Sequence, residues 1–388
     1  MFFRNITTSL LIILAFMTFA CAQQAAKPQA TMDTPEHHVM SGNKLLKAGN
    51  YDGAIAEFER AKALDPKYAP AYLGLGLGLG YKGDFETGLK QMKKGAGYAK
   101  GDDQKYDVEV GYMRLYLMGK GQADRHWFDE LRSEYKTAAS RLPDRPEAFY
   151  YMGLAYKVKY EFRKASREFT KVLDLDKGLV EEADREYALM QKIERAMPGS
   201  TIGKQIAIQD SITRADLAAL FIHELQIDDL YKRRAKRTFD TAYKAPGKTF
   251  KAGEYVKAPP ATDIENHVLK ADIDAVIAIG IKGMQPFPDH TFKPDKPTTR
   301  AEFAMIVEDI MITITRDTRL ATMFIGNQSP FPDLRNDLPY FNAVMVCTTR
   351  GIMETKDAGT GEFNAAGSIP GADALLSIRT LKSQLSKY

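Results

Sequence analysis

The sequence predicts a mostly α-helical protein, in which an α-solenoid is followed by a second helical domain with long loops. One set of small and aromatic residues recurs about every 34 residues in the first half of the chain. A different set occurs in two copies, 71 residues apart, in the second half. The chain has 388 residues, 44% of them hydrophobic and 27% charged, which is enough for two or three folded domains.

Residues 1–22 are predicted to precede the fold as a signal peptide. The apolar run from Leu10 to Ala20 is too short to span a bilayer but has the length of a signal-peptide core. Two endings fit the sequence: cleavage before Gln23, or a lipoprotein signal in which Cys21 becomes the lipidated first residue. A lipid on Cys21 would hold the chain on a membrane surface. Residues 23–34 are predicted to form a linker.

A periodic pattern runs through the first half of the chain. Its clearest copy has small, aromatic and proline positions at Gly42, Ala54, Phe58, Ala61 and Pro66. Further frames start at Ala69 and Pro146, and a weaker one starts at Tyr112 after a polar insertion at residues 101–105. The pattern resembles the tetratricopeptide repeat family, whose unit is a helix–turn–helix. The resemblance implies stacked hairpins over residues 35–198, ending in a helix that caps the stack.

The resemblance also implies a binding groove. In this family the first helix of each hairpin lines a concave surface that contacts other proteins. The matching positions here are Asn43, Lys47, Leu77, Tyr81, Tyr150, Leu154 and Lys157. Their mixture of Tyr, Lys and Asn suits an extended protein segment rather than a small molecule. The alternative is that several of them are solvated or core residues.

The second half repeats more loosely, around three aligned turns. The turns are Asp210–Asp216, Lys296–Glu302 and Gly367–Asp373, each preceded by an apolar residue at Ile206, Phe292 or Phe363. The middle turn, with Thr-Arg-Ala-Glu at residues 299–302, closely resembles the S-layer homology domain family. The resemblance covers residues 205–386, as a partial copy at 205–236, an insertion at 237–260, and copies at 261–315 and 329–386.

The Thr and the acid of these turns are explained by helix capping. A Thr followed three places later by an acid forms a capping box, in which the hydroxyl and the carboxylate each accept a backbone amide at the helix start. Two pairs meet this pattern, Thr213 with Asp216 and Thr299 with Glu302. The arginine after each Thr takes no part in the box, and the helix dipole disfavours a cation in the first turn.

The family resemblance implies a function for this arginine. In S-layer homology domains it lies in a groove between copies and helps to bind anionic cell-wall glycan, to which a planar guanidinium is well suited. The matching residues are Arg300 and Arg214, whereas the third copy has Gly371 at this position. A solvated or ion-paired arginine is the alternative interpretation.

Catalytic, metal and nucleic-acid functions find little support in the sequence. The net charge is only +4, which argues against nucleic acid as a partner. No metal-ligand spacing, paired Cys motif or nucleophile turn occurs. The glycine pattern at Gly78–Gly83 matches a dinucleotide motif, but it lies at the end of a predicted repeat helix. We therefore expect no cofactor and no metal.

These observations predict a non-catalytic, exported adaptor of the cell envelope, in the periplasm or on the outer membrane as a lipoprotein. The repeat groove would bind a protein partner, while the second half attaches to peptidoglycan or an associated anionic glycan. The alternative is a structural component of an outer-membrane or secretion complex, whose second half no longer binds the wall.

Overall fold

The computed structural model describes residues 25–236 and 260–388. The predicted signal peptide with Cys21 lies outside the described residues, as does nearly all of the insertion predicted at 237–260. The described part is helical and contains no β-strand, so the predicted mostly α fold is confirmed. Within it, no helix is both long and apolar enough to cross a membrane. The chain divides into two compact units between Asp184 and Arg185.

The described part of the first unit forms four helical hairpins. Their helices are α1 (Pro35–Lys47), α2 (Tyr51–Leu64), α3 (Ala69–Tyr81), α4 (Phe85–Tyr98), α5 (Gly101–Gly119), α6 (Trp127–Arg141), α7 (Glu147–Val158) and α8 (Phe162–Leu175). Each hairpin packs on the next, and the first helices α1, α3, α5 and α7 contact each other in succession. This arrangement is the predicted solenoid.

Local sequence signals start several of these helices. The side chain of Thr34 accepts a hydrogen bond from the amide of His37 at the start of α1. Asn50 and Asp84 cap α2 and α4 in the same way.

The frame positions also account for the packing between hairpins. Phe58 is fully buried between Gly42 and Gly74, which lie on neighbouring first helices. A Cβ atom would lie 2.6 Å from the Phe58 ring if added at Gly42 and 2.2 Å from it if added at Gly74. The helices can therefore approach this closely only because both residues are glycine.

The start of the third hairpin differs from the sequence-based prediction. Helix α5 begins at Gly101, so the polar residues predicted as an insertion form its first turn. Asp102 and Asp103 carry negative charge at this helix start, where the helix dipole favours it. The weak frame at Tyr112 therefore begins in the middle of a helix.

The second unit contains the remaining helices. They are α9 (Val180–Ala196), which starts in the first unit, α10 (Thr201–Ala207), α11 (Arg214–Leu220), α12 (Ile227–Lys236), α13 (Lys270–Ile279), α14 (Arg300–Thr315), α15 (Phe341–Thr349) and α16 (Gly371–Leu385). A π-helical turn at Phe221–Leu225 extends α11. Helices α11, α14 and α16 begin at the three aligned turns of the sequence.

A closed ring of backbone hydrogen bonds joins the three turns. The amide of Ile212 donates to the carbonyl of Ile369 (3.0 Å), that of Ile369 to Thr298 (3.0 Å), and that of Thr298 to Ile212 (2.9 Å). These residues each directly precede a helix N-cap. The three copies are therefore arranged around one approximate threefold axis, although the sequence keeps only the middle copy intact.

The apolar residue before each turn lies in the core of this unit. Phe292 and Phe363 are fully buried, and Ile206 takes the matching place in the first copy. An aspartate from the beginning of each later copy fixes the neighbouring backbone. Asp263 accepts the amides of Phe292 and Lys293, and Asp333 accepts those of Phe363 and Asn364.

Candidate functional site

The capping pairs occupy the starts of α11 and α14. The Asp216 amide donates to Thr213 Oγ1 at 3.1 Å, and the Thr213 amide donates to the Asp216 carboxylate at 2.9 Å. Thr299 and Glu302 exchange the same two bonds at 3.1 and 3.0 Å. Each box places the following arginine in the first helical turn, facing the next copy.

Arg214 is a buried link between the first and second copies. Its side chain is only 5% exposed and donates to three carbonyl oxygens of the second copy. The bonds run from Nε to Phe292 (2.9 Å), from Nη1 to Gly283 (2.8 Å) and from Nη2 to Gln285 (3.3 Å). The guanidinium also lies over the rings of Phe287 and Phe292. All three nitrogens are therefore occupied within the fold.

Arg300 links the second copy to the third in a similar way, but incompletely. It is 3% exposed, and its Nε donates to the carbonyl of Phe363 at 2.7 Å while its Nη2 donates to that of Glu354 at 2.5 Å. Among the described residues, none accepts a hydrogen bond from its Nη1. Burial lowers the pKa of Arg300, whereas the charges of Asp373 and Asp333 act in the opposite direction. No described carboxylate forms an ion pair with it.

This geometry explains why an arginine stands against the helix dipole. Carbonyl dipoles and aromatic faces of the next copy surround the cation and offset its unfavourable position in the first turn. The cation is unusual in the sequence, and in the structure most of its hydrogen-bond donors serve the fold.

The third copy closes the ring without an arginine. The Gly371 amide donates to the carbonyl of Gln209 at 2.9 Å. A Cβ atom on Gly371 would lie 1.7 Å from the carbonyl oxygen of Ile206, so no larger residue fits at this position. The departure from the Thr-Arg pattern is thus a packing requirement of the closure between third and first copies.

Arg300 lines a cavity of about 230 Å³ in the second unit. The charged residues of its wall are Lys192, Arg195, Arg300, Lys356, Glu354 and Asp373. Arg195 and Lys356 are exposed and form no ion pair with any described residue. Cations therefore outnumber carboxylates in a small concave site, which favours an anion.

The position of α9 in this cavity follows from the altered third turn. The third turn begins α16, whose N-cap is Pro370. Pro370 has neither an amide N–H nor a hydroxyl, so Asp373 cannot close a capping box there. The Asp373 carboxylate instead pairs with Lys192 at 2.5 Å. Arg379 adds a hydrogen bond to the carbonyl of Arg195 at 2.6 Å. The sequence predicts this helix, from Leu179 to Met197, as the cap of the repeat stack.

The first unit presents the predicted groove positions unequally. Asn43 and Lys47 are exposed, and Tyr150, Leu154 and Lys157 are half-buried. Tyr81 is 40% exposed. Leu77 is the exception, because it is 6% exposed and packs in the hydrophobic core with Leu75 and Met92. Its side chain therefore offers little surface to a ligand. Leu77 fits the alternative interpretation, in which a predicted groove position is a core residue.

A row of aromatic and cationic side chains joins the start of α2 to the first helices α3, α5 and α7. Tyr81 stacks on Tyr51 with ring centroids 5.0 Å apart. Arg114 donates to the Tyr81 hydroxyl at 3.3 Å and lies over the ring of Tyr151. Arg114 forms no ion pair with a described residue. The sequence missed it because the third frame was placed in the wrong register.

Metal-binding geometry does not occur in the described parts of the chain. No three His, Cys, Asp or Glu side chains within residues 25–236 and 260–388 converge as ligands would.

Comparison with known families agrees with both halves of the architecture. The family model of the TPR repeat matches residues 42–80, which include α2 and all of α3 except Tyr81. The model of the S-layer homology domain matches residues 284–304, which include Arg300 and its capping box. No curated protein matches the chain significantly. The chain thus carries a TPR repeat followed by an S-layer homology segment, and the predicted resemblance is confirmed.

The two matches indicate the general character of each half. TPR repeats indicate protein–protein interaction, and S-layer homology domains indicate cell-wall attachment. Both families are in general non-catalytic. S-layer homology domains are associated with cell surfaces, which fits a location in the envelope.

Proposed function

We propose that this protein is a non-catalytic envelope adaptor, in which the repeat unit binds a protein partner and the second unit binds anionic glycan of the cell wall. The observation that carries the wall-binding half is the cation-rich cavity around Arg300. A buried guanidinium with one unused nitrogen and no carboxylate partner provides a strong, directional site for a carboxylate.

Of the two arginines named from the sequence, Arg300 is the better supported as a ligand-binding residue. Arg214 uses all three of its nitrogens on carbonyl oxygens, whereas Arg300 leaves Nη1 unused by the described residues and lines the cavity. Arg214 then serves to hold the copies together. The proposal therefore assigns one glycan site to this unit rather than two.

Sedimentation with cell-wall sacculi tests the wall-binding half. Mature protein starting at Gln23 should pellet with sacculi, and Arg300→Ala should lose most of the pelleted fraction. Arg214→Ala is the matched control, because it removes an equally buried arginine without touching the cavity. It should still pellet in the fraction that circular dichroism shows to be folded. Equal losses in the two variants would remove Arg300 from the binding site.

The same experiment distinguishes binding to peptidoglycan from binding to a polymer attached to it. Sacculi treated with hydrofluoric acid lose phosphodiester-linked polymers but keep peptidoglycan. Binding that survives the treatment identifies peptidoglycan as the ligand, and binding that is lost identifies an attached polymer. Absence of binding to either preparation would favour the alternative function, a structural component that no longer attaches to the wall.

The protein-binding half is supported by the exposed polar and aromatic side chains along the first helices. A photo-crosslinking residue at Asn43 or Lys47 should trap one defined partner in cells. The same residue at Lys94, which is exposed on a second helix, should not. Equal crosslinking at both kinds of position would argue against a groove on the first helices.

A further inference from the structure

An exposed apolar tip lies in the loop that connects α14 to α15 of the second unit. Met323 and Ile325 are 42% and 67% exposed, and Phe324 between them is half-buried. Every residue of 318–328 except Leu320 and Phe324 is exposed, so the loop projects from the surface. Bulky apolar side chains that stand side by side in water mark an interaction surface.

The fold holds the apolar tip (Met323, Phe324 and Ile325) in a fixed position. The buried side chain of Asn342 on α15 donates to the carbonyl of Leu320 at 2.7 Å and accepts the amide of Phe324 at 2.8 Å. It donates a further hydrogen bond to Glu308 on α14. The turn is therefore clamped at both ends, and such a tip loses little conformational freedom when it binds.

Arginines surround the apolar tip. Arg350, which follows α15, lies with its Nη2 3.8 Å from the methionine sulfur of the tip. Arg316 is exposed and forms no ion pair with a described residue, and the exposed Arg319 pairs with Asp317 at 2.8 Å. Asp317 is the only acid within residues 316–328. The tip thus has an apolar centre and a cationic rim.

This combination is complementary to the surface of an anionic bilayer. Apolar side chains can enter the boundary between head groups and acyl chains, while arginines beside them contact the phosphates. A projecting tip needs no preformed pocket in such a soft surface, whereas a protein partner would have to supply one.

We infer that the apolar tip and its arginines form a membrane-contact surface, in which Met323, Phe324 and Ile325 insert among the head groups of anionic phospholipid. The contact is peripheral, because these side chains reach only the outer boundary of the acyl chains. The tip does not line the Arg300 cavity, so this surface is a second one and does not depend on the proposed wall binding.

Flotation with vesicles tests the inference. Mature protein that starts at Gln23 and is prepared without a lipid owes any affinity for a bilayer to its own side chains. It should float with vesicles of phosphatidylethanolamine and phosphatidylglycerol, and at least about threefold less with vesicles of phosphatidylcholine. Raising the ionic strength should weaken flotation with the anionic vesicles. No flotation with either vesicle, or equal flotation with both, would overturn the inference.

A charge placed on the tip provides the decisive variant. Ile325→Asp should lower the floating fraction at least about fivefold, because a carboxylate does not enter the acyl boundary. Val268→Asp is the matched control, since Val268 is 96% exposed on the same unit but lies outside this loop. It should float as the parent protein does. Equal flotation of the two variants would remove the tip from the contact.

The cationic rim is tested by Arg316→Gly. The φ angle of Arg316 is 62°, which glycine adopts readily, so the variant removes the charge without straining the loop. Flotation with the anionic vesicles should fall about three- to fivefold, and flotation with phosphatidylcholine should not change. An unchanged floating fraction on anionic vesicles would show that the rim plays no part.

Two further outcomes separate this surface from others. Self-association of the parent protein that Ile325→Asp abolishes, without flotation of either, would mean that a second copy of the chain covers the tip. Ile325→Asp should still pellet with sacculi, because the Arg300 cavity is intact. Flotation by protein that fails to pellet would retain this inference and reject the proposed wall binding.

Discussion

Arg300 donates from its Nε to the carbonyl oxygen of Phe363 at 2.7 Å, and its guanidinium lies 4.5 Å from the centre of the Phe363 ring. Arg214 makes the matching bond to Phe292 at 2.9 Å, with the guanidinium 4.7 Å from that ring. Each arginine thus reaches from one copy to the buried phenylalanine of the next. The arginine of each Thr-Arg pair mainly joins neighbouring copies. The cavity that Arg300 lines lies at the junction of the second and third copies.

The first prediction concerns Arg214, which joins the first and second copies and does not line the Arg300 cavity. Arg214→Ala should destabilise the second unit by about 3 kcal/mol, because one buried and two partly buried carbonyls lose their donor and two rings lose a packing partner. Urea unfolding followed by circular dichroism measures this loss. Arg335→Ala, at an exposed site, should change stability by less than about 0.5 kcal/mol.

Arg214→Lys separates geometry from charge in the same measurement. A single ammonium cannot reach three carbonyls in different directions, so lysine should recover less than half of the lost stability. Full recovery by lysine would show that the charge, and not the planar fork, joins the copies.

The second prediction concerns the closure between the third and first copies. Gly371→Ala should destabilise the second unit by about 3 kcal/mol or more, because its Cβ atom would overlap the backbone carbonyl of Ile206 at 1.7 Å. Gly199→Ala is the matched control in the same unit, since its nearest neighbour would be Glu224 Oε2 at 3.7 Å. Thermal unfolding of both variants checks the prediction. Comparable melting temperatures would mean that the third turn moves freely.

Much of this fold was predictable because its signals are local. Small residues at fixed positions, such as Gly42 and Gly153, permit the close helix contacts that define a hairpin. The capping pair of Thr299 and Glu302 marks a helix start within four residues of sequence. Signals of this kind survive in a single sequence, so the repeat architecture and the middle copy were recognisable.

The roles of the site residues were not predictable because their partners are distant in sequence. Arg300 bonds to a carbonyl 63 residues away, and Arg214 to one 78 residues away. Backbone carbonyls carry no sequence signature, so nothing marked them as acceptors. Lys192 was assigned to the end of the repeats for the same reason, because its ion pair with Asp373 spans 181 residues.

The third prediction uses a histidine held between two acids at the start of the first unit. His38 Nδ1 lies 2.6 Å from Glu57 and its Nε2 lies 2.8 Å from Asp33, a geometry that needs both nitrogens protonated. Arg60 also bonds to Asp33 and holds the pKa of that carboxyl well below its usual range. Burial lowers the pKa of His38, but Glu57 and Asp33 together raise it above 6.5.

Because the folded pKa of His38 is raised, its stabilisation is fully present below pH 6.5 and is lost as pH rises through the folded value. His38→Gln should therefore be clearly less stable than the parent protein at pH 5.5, and the gap should narrow at pH 9. Urea unfolding at the two pH values measures the gap. His126→Gln, in an exposed turn, serves as the control. A gap that does not change with pH would show that the pKa of His38 is the same in the folded and the unfolded protein.

The last prediction concerns Glu134, a half-buried carboxyl on α6 without a described hydrogen-bond partner. Burial, followed by the charges of Glu109 and Glu130, raises the pKa of Glu134 to about 7. A carboxyl whose folded pKa is raised stabilises the protein only while protonated, so stability falls as pH rises from about 4.5 through 7. Glu134→Gln keeps the shape and removes this ionisation.

The variant should match the parent protein near pH 4.5 and exceed its unfolding free energy by about 1 kcal/mol at pH 8, after discounting the shift for partial solvent screening. Glu130→Gln removes only a neighbouring charge and should give a smaller gain at pH 8. Urea unfolding at both pH values decides the matter. Equal stability of Glu134→Gln and the parent at pH 8 would mean that the Glu134 carboxylate is well solvated, and a loss there would mean that it has a partner in solution.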